Sequence, residues 1–144
     1  MICRANIEDA RSVAALAKEM WTDACTEELV AEFTQLAVRE DAAVFLARCD
    51  GIAVGFAQCQ LRRDYVEGTD TSPVGYLEGI YVFPKYRGRG YARRLLSACE
   101  GWARQQGCTE FASDCELDNT ASLKFHISAG FAEANRIICF TKKL

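Results

Sequence analysis

The stretch YVFPKYRGRGYARRLL, residues 81–96, joins an apolar run that ends before Pro84 to an amphipathic run that begins at Gly90. A strand followed by a glycine-rich turn and a helix often binds phosphate, because the first N–H groups of a helix lack partners and carry partial positive charge. Gly88 and Gly90 let the backbone approach an anion closely, and the nearby arginines can add charge-assisted hydrogen bonds. The stretch therefore predicts an anion-binding turn at the start of a helix.

Length and composition are those of a single globular domain covering residues 1–144. Hydrophobic residues make up 50% of the chain and charged residues 26%, which is ordinary for a water-soluble fold. A net charge of −3 argues against a general nucleic-acid binder. No apolar run approaches the roughly 20 residues that cross a bilayer, and the N-terminus lacks a signal-peptide pattern. We therefore expect a cytoplasmic protein with neither a nucleic-acid nor a membrane partner.

The eight cysteines do not form a recognisable metal or disulfide pattern. None belongs to a CxxC pair, and most lie inside apolar runs. Without an export signal they are expected to be reduced, small core residues. The single histidine, His126, has no partners at the spacing of zinc ligands, so no metal site is expected.

The first half of the chain predicts a strand, two helices and a hairpin. The strand MICRANI leads into a helix that Asn6 can cap, with Asp9 reaching back in a capping box. Thr26 is expected to cap the second helix. The run AAVFLARCDGIAVGFAQCQLR then predicts two strands joined by a tight turn at Asp50 and Gly51.

The second half predicts a loop, three strands and two helices. Residues 64–75, DYVEGTDTSPVG, form the loop, and YLEGIYVF is a strand that stops at Pro84. A helix is expected from Gly90 to about residue 106, followed by a strand within TEFASDC and a short helix capped by Asn119 or the residue before it. The segment GFAEANRIICFTKKL closes the chain with the character of a strand. The predicted order is β-α-α-β-β-β-α-β-α-β.

Residues 81–96 resemble the acyl-CoA pyrophosphate loop of the GNAT superfamily of N-acetyltransferases. Arg87, Gly90 and Ala92 occupy its R/Q-x-x-G-x-G/A pattern, and the resemblance continues through the segment from 119 to 131 that ends in GF. It implies an α/β (α+β) fold with a mixed, mostly antiparallel sheet, helices on its faces and splayed central strands. It also implies acetyl-CoA as cosubstrate.

The same resemblance implies where the cofactor lies. In this family the strand before the loop separates from its neighbour at a bulge, which Gly79 can supply. The pantetheine arm then pairs with the strand, the pyrophosphate lies on the loop, and an asparagine contacts the end of the arm. The implied cofactor-binding residues are Ile80, Tyr81, Val82, Arg87, Gly88, Arg89, Gly90, Tyr91, Ala92, Arg93 and Asn119.

The segments RRDYVEGTDTSPVGYLEGIYV and ASDCELDNTASLKFH resemble one subgroup of the family, the bacterial aminoglycoside 6'-N-acetyltransferases. In that subgroup the residues matching Trp21, Tyr65, Glu78 and Asp114 line the aminoglycoside site. Asn135 stands near the C-terminus where the subgroup often has an acid, and we include it among the substrate-binding candidates. Members of the subgroup commonly dimerise, so a homodimer is expected.

The residue types suit a polycationic acceptor, which calls for carboxylates and an aromatic wall. Glu78 interrupts an apolar strand, and an unpaired acid there is costly to bury unless it has a role. The alternative for Glu78 is an edge-strand charge that prevents aggregation. The alternative for Asp114 is a strand-end or capping acid, and Tyr65 and Trp21 could be ordinary half-buried aromatics. The loop acids are interpreted as solvated: Asp64, Glu67 and Asp70.

Acetyl transfer to an amine requires a proton to leave the ammonium group first. Glu78 is the first candidate for the base, acting directly or through water, and Asp114 is the second. The backbone N–H of Val82 or Ile80 is the candidate donor to the tetrahedral oxyanion. His126 occupies the place where the family usually has a tyrosine that protonates the thiolate. His126 is therefore a candidate acid. The alternative is that His126 is structural and that the thiolate leaves without an acid.

The leading interpretation is an acetyl-CoA-dependent aminoglycoside 6'-N-acetyltransferase that confers antibiotic resistance. A GNAT enzyme for another amine (a polyamine, an amino sugar or a peptide N-terminus) is the second. A CoA-binding module without catalysis and a nucleotide-binding loop are the others. The sequence lacks both the GxxxxGK[ST] motif and the third glycine of a dinucleotide-binding turn.

Overall fold

One five-stranded sheet organises the chain, and a computed structural model describes all of it, residues 1–144. The strands are β1 (Ile2–Arg4), β2 (Ala42–Cys49), β3 (Ile52–Arg62), β4 (Val74–Val82) and β5 (Phe111–Ser113). The helices are α1 (Ala10–Met20), α2 (Thr26–Leu36), α3 (Tyr91–Gln105) and α4 (Thr120–Ser128). The strands lie in chain order, antiparallel except for the parallel pair β4–β5. The mixed, mostly antiparallel sheet predicted from the sequence is confirmed.

Local signals account for most of the boundaries. Asn6 and Asp9 form the predicted capping box, which opens a short 3₁₀ turn ahead of α1. The turn between β2 and β3 places Asp50 at φ 49° and Gly51 at φ 80°, as a tight hairpin turn requires. The prediction that Thr26 caps α2 is wrong by one residue, because the chain is extended at Cys25 and Thr26 is already helical.

The core lies on both faces of the sheet. One face packs against α1 and α2, with Phe33, Leu46 and Phe56 at its centre. The other packs against α3, with Leu95 and Trp102 buried there. Phe125 of α4 and Phe131 join the α3 side. The molecule is therefore a three-layer sandwich whose edges and strand ends remain available for a site.

All eight cysteines are free thiols. Cys59, Cys99 and Cys108 are buried in the α3-side core, as expected for small apolar residues. The expectation of burial is wrong for the exposed positions, because these lie outside the interface between sheet and helices. The exposed cysteines are Cys25, Cys115 and Cys139.

The predicted closing strand is wrong: residues 131–144 have no regular secondary structure. A strand needs a neighbour to bond its alternating N–H and C=O groups, and no segment of this chain pairs with the outer edge of β5. The apolar side chains of Ile137, Ile138 and Phe140 are consequently exposed. The observed order ends with α4.

No helix has both the length and the apolar character of a membrane span. No group of three or more His, Cys, Asp or Glu side chains is arranged to hold a metal ion.

Candidate active site

A bulge in β4 presents Glu78. Gln58 of β3 pairs with Gly79 and the next residue, Cys59, pairs with Leu77, so Glu78 is an extra residue without a partner on β3. The bulge lies where the sequence predicted it. Gly79 serves it by leaving room, since a Cβ there would lie 3.0 Å from the ring of Trp21.

Beyond the bulge, one edge of β4 is open. β5 pairs only with Gly75–Leu77, so residues 78–82 have no neighbour on that side. The N–H of Phe83 donates to Val54 of β3 at 2.9 Å. Because alternate residues of a strand point the same way, the N–H groups of Ile80 and Val82 point toward the open edge. They are free to bind a ligand laid along β4.

The turn that follows β4 presents a row of backbone N–H groups that have no acceptor within the chain. Gly88 and Gly90 adopt φ of 74° and 78°, the left-handed region that favours glycine, and Gly90 is the N-cap of α3. No heavy atom lies within 4 Å of a Cβ built on either glycine. The N–H groups of residues 88–93 donate no hydrogen bond within the chain. This arrangement fits the pyrophosphate of CoA.

The arginines of the turn bond mainly to backbone carbonyls. Arg87 Nε donates to Val82 O at 2.8 Å, and Arg93 Nη2 donates to Ser128 O at 2.7 Å. Arg89 lies over the ring of Tyr86, 5.5 Å from its centroid. These contacts fasten the turn while keeping its positive charge in place. Direct contact of Arg87, Arg89 and Arg93 with the cofactor stays a prediction.

Tyr91 and Ala92 at the start of α3, and Asn119 at the cap of α4, offer different groups to a ligand. Tyr91 is buried in the α3-side core and Ala92 packs beside it, so both offer only backbone to a ligand. A hydrogen bond with Cys49, together with burial, raises the pKa of Tyr91. Asn119 caps α4 by accepting from Ser122 N at 3.1 Å, which leaves its amide N–H groups free to donate.

Four side chains form what we call the acid cluster: Arg62, Tyr76, Glu78 and Asp114. Arg62 Nη2 donates to both oxygens of Glu78 at 2.9 Å, and its Nε donates to Oε1 at 3.0 Å. The guanidinium carbon lies 3.5 Å from the ring centroid of Tyr76. The Tyr76 hydroxyl donates to Asp114 Oδ2. The two acids that the sequence proposed are therefore joined through two residues that it missed.

Burial, followed by the hydrogen bond to Asp114, raises the pKa of Tyr76. The phenol therefore keeps its proton across the physiological pH range and donates a hydrogen bond to Asp114. The alternation of side chains along a strand could have identified Tyr76 as a neighbour of Glu78, because it lies two residues earlier on β4. Arg62 carries no such signal, since its partner is chosen by the register of β3 against β4.

The remaining substrate candidates divide into two groups. Trp21 packs edge-on against Phe56, with ring centroids 6.1 Å apart. Tyr65, 79% exposed, donates to Glu67 Oε2 at 3.2 Å, and Asn135 Nδ2 donates to Glu67 Oε1 at 3.0 Å. The hydrogen bond that Tyr65 donates to the Glu67 carboxylate raises the pKa of Tyr65. Glu67, interpreted from the sequence as a solvated loop acid, thus links the two candidates.

Both ring nitrogens of His126 are engaged within the chain. Nδ1 lies 2.7 Å from the carbonyl oxygen of Ser122, which can only accept, so Nδ1 carries a proton. Nε2 lies 2.8 Å from Ser113 Oγ at the end of β5. The ring also packs against Phe131, with centroids 5.1 Å apart. The contacts with Ser113 and Phe131 hold α4 against its neighbours and favour a structural role.

Comparison with known proteins gives a consistent result. Residues 10–131 match the model of the Acetyltransferase (GNAT) family. The chain is 42% identical over 144 residues to "Aminoglycoside N(6')-acetyltransferase type 1" of Stenotrophomonas maltophilia, covering 99% of this chain and 93% of that protein. It is 41% identical over 128 residues to the protein of the same name from Salmonella typhimurium, covering 89% and 88%.

A solved structure shares the fold over nearly the full length of both chains. The structure of AAC(6')-Iy in complex with the bisubstrate analog CoA-S-monomethyl-acetylneamine superposes with a TM-score of 0.96. Sequence identity is 38%, with 100% of this chain and 98% of that chain covered.

Proposed function

Because the chain belongs to the GNAT acetyltransferase family, we propose that it transfers the acetyl group of acetyl-CoA to the 6'-amine of aminoglycoside antibiotics and so confers resistance. One observation supports this most directly. The bulged acid Glu78 stands where β4 separates from β5, beside the unpaired N–H groups of Ile80 and Val82. A proton acceptor and oxyanion donors thus lie on the same few residues of strand.

Acetyl-CoA binds along the open edge of β4 and onto the turn after it. The amides of its pantetheine arm pair with the backbone of residues 80–82, and its pyrophosphate accepts from the N–H groups of residues 88–93. Arg87 occupies one lone pair of the Val82 carbonyl, which leaves the other for the arm. Asn119 donates its amide N–H to the end of the arm.

Catalysis begins when Glu78, directly or through water, takes a proton from the 6'-ammonium group. Asp114, held by Tyr76, contacts a second ammonium group and is the alternative base. The free amine attacks the thioester carbon, and the N–H of Val82 or Ile80 stabilises the oxyanion. Trp21, Tyr65 and Asn135 bind the sugar rings.

The thiolate leaves when the tetrahedral intermediate collapses. An alkyl thiol has a pKa of about 8.5, far below that of an alcohol, so the thiolate leaves without strong assistance. His126 has no free ring N–H to offer, since both nitrogens face Ser122 and Ser113. We assign it the packing of α4 against β5.

A homodimer in the cytoplasm completes the proposal. The exposed apolar side chains of Ile137, Ile138 and Phe140 would gain burial if a second copy covered them. Eight free thiols suit a reducing compartment in which acetyl-CoA is made and used. Light scattering of the purified chain distinguishes a dimer from a monomer.

A thiol-release assay with acetyl-CoA tests the activity. Kanamycin and tobramycin should be acetylated once, at the 6'-amine, with spermidine and peptide N-termini poor acceptors. Mass spectrometry and NMR of the product establish the position. Preference for spermidine or a peptide would show that the natural acceptor is another amine. CoA binding without any turnover would indicate a binding module without catalysis.

A further inference from the structure

Arg62 is the one residue of the acid cluster to which the proposed mechanism gives no role. It ends β3 opposite Val74, and its side chain extends along the sheet over Tyr76 to make three hydrogen bonds to the carboxylate of Glu78. The Glu78 side chain is 19% exposed and that of Arg62 39%. The pair is therefore partly buried, with the guanidinium on the side nearer solvent.

Glu78 cannot bind a substrate ammonium well while Arg62 is in place. A carboxylate offers about four lone-pair directions, and the guanidinium already uses three. Two cations sharing one carboxylate also repel each other in a partly desolvated site. For Glu78 to accept a proton from the acceptor amine, the guanidinium has to move away.

The structure provides a direction for that movement. Arg62 rests on the face of Tyr76, and its Nη1 makes no hydrogen bond within the chain. The Arg62 guanidinium therefore makes only three hydrogen bonds, and all of them go to the Glu78 carboxylate. Rotation toward solvent breaks these hydrogen bonds and the contact with the Tyr76 ring.

We propose that Arg62 determines specificity by acting as an internal substitute for the substrate ammonium, so that only an acceptor carrying several ammonium groups displaces it efficiently. A monoamine only replaces one cation on Glu78 with another, so it gains little binding free energy. A polyamine places a further ammonium on Asp114, whose second oxygen has no partner in the chain. This inference rests on the proposed function and deepens it.

The test compares two acceptors that share the reacting amine, neamine with four amines and 6-amino-6-deoxyglucose with one. The substitution Arg62→Met keeps an unbranched side chain over Tyr76 and removes the charge. We expect KM for the monoamine to fall about tenfold, the effect of one charge-assisted hydrogen bond on a dissociation constant. KM for neamine should change less, so that the preference for neamine falls by about the same factor.

Arg63→Met is the matched control, because Arg63 is the exposed neighbour and its side chain makes no hydrogen bond or ion pair. It should leave the preference unchanged. Arg62→Lys keeps the cation and should retain most of the wild-type preference, which separates charge from shape. Arg62→Gln, which also removes the charge, replaces Arg62→Met in the comparison if that variant proves unstable in a thermal melt.

Two results would overturn the inference. A rise in KM and a fall in kcat for both acceptors alike would make Arg62 a positioning residue for Glu78. An unchanged ratio in the variant that removes the charge would leave Arg62 without a role in specificity. Wild-type protein that fails to acetylate neamine at all would instead overturn the proposed function, which the same assay reports before any variant is made.

Discussion

Residues 75–77 of β4 pair with strands on both sides, whereas residues 79–82 pair with β3 alone and the bulged Glu78 pairs with neither. The first part contains the buried side chains of Tyr76 and Leu77. The second part begins at the bulge and carries Glu78 and the free N–H groups. One strand therefore changes from scaffold to binding surface within a single residue. The change comes from the short length of β5, which ends at Ser113.

The contrast predicts that substitutions in the open part affect chemistry and those in the paired part affect stability. The largest effect is expected for Glu78→Gln, which keeps the shape of the side chain and removes the base. We expect kcat to fall about 10²- to 10⁴-fold, the usual range for a lost general base. Steady-state kinetics with neamine measures it.

Glu32→Gln, an exposed acid on α2, is the control and should leave kcat unchanged. A Glu78→Gln enzyme with wild-type kcat and KM would show that the bulged acid is only structural. The base would then have to be sought in Asp114 through the corresponding Asn variant.

Gly90→Val should have the next largest effect, through the turn that continues the open part of β4. Valine at φ 78° costs about 1–3 kcal/mol of backbone strain, and its side chain would project where the pyrophosphate approaches. We expect the dissociation constant for CoA to rise at least about tenfold. Calorimetric titration with CoA measures the change.

Gly101→Ala in the middle of α3 is the control, since its Cβ meets nothing within 4 Å and alanine favours a helix. It should leave CoA affinity as it is. Unchanged affinity in Gly90→Val, with an intact fold by circular dichroism, would remove the turn from the cofactor site.

A pair of alanine substitutions compares the two parts of β4 directly. At Gly75 a Cβ would lie 2.6 Å from the ring of Phe111 and 2.7 Å from the side chain of Ala103. Gly75→Ala should therefore cost about 1–3 kcal/mol of stability, as overpacking does, without changing KM. At Gly79 the nearest atoms belong to Trp21, at 3.0 Å.

Gly79→Ala should displace that indole and raise the acceptor KM a few-fold, an effect of about 1 kcal/mol. Thermal melting and steady-state kinetics of both variants give the two readouts. Equal losses of stability and equal KM values in the two variants would contradict the division of β4.

His126→Phe should have the smallest effect on catalysis. Because both ring nitrogens bond within the chain, we expect kcat to fall less than about threefold, well below the loss of a general acid. The melting temperature should fall, since the hydrogen bond that joins α4 to Ser113 of β5 is lost. A large loss of kcat with unaltered stability, and a pH profile that loses its alkaline limb, would restore His126 as the acid.

The sequence alone determined the parts of this protein that depend on neighbouring residues. The capping box at Asn6, the turn at Asp50 and Gly51, and the helix that begins after Gly90 are each specified within about one turn of chain. Their signals are glycine conformations, caps and periodic apolar side chains, which act over a few residues. The anion-binding turn was predicted for the same reason, whereas acetyl-CoA as its occupant was implied by the resemblance to the GNAT family.

Only the tertiary structure decided the contacts that cross strands. The pairing of Arg62 with Glu78, and of Tyr76 with Asp114, depends on the register of three strands and on one extra residue at the bulge. A shift of one residue would turn each side chain to the other face of the sheet. The closing segment failed as a strand for a related reason, because apolar alternation supplies side chains, whereas a strand exists only where a neighbour accepts its backbone hydrogen bonds.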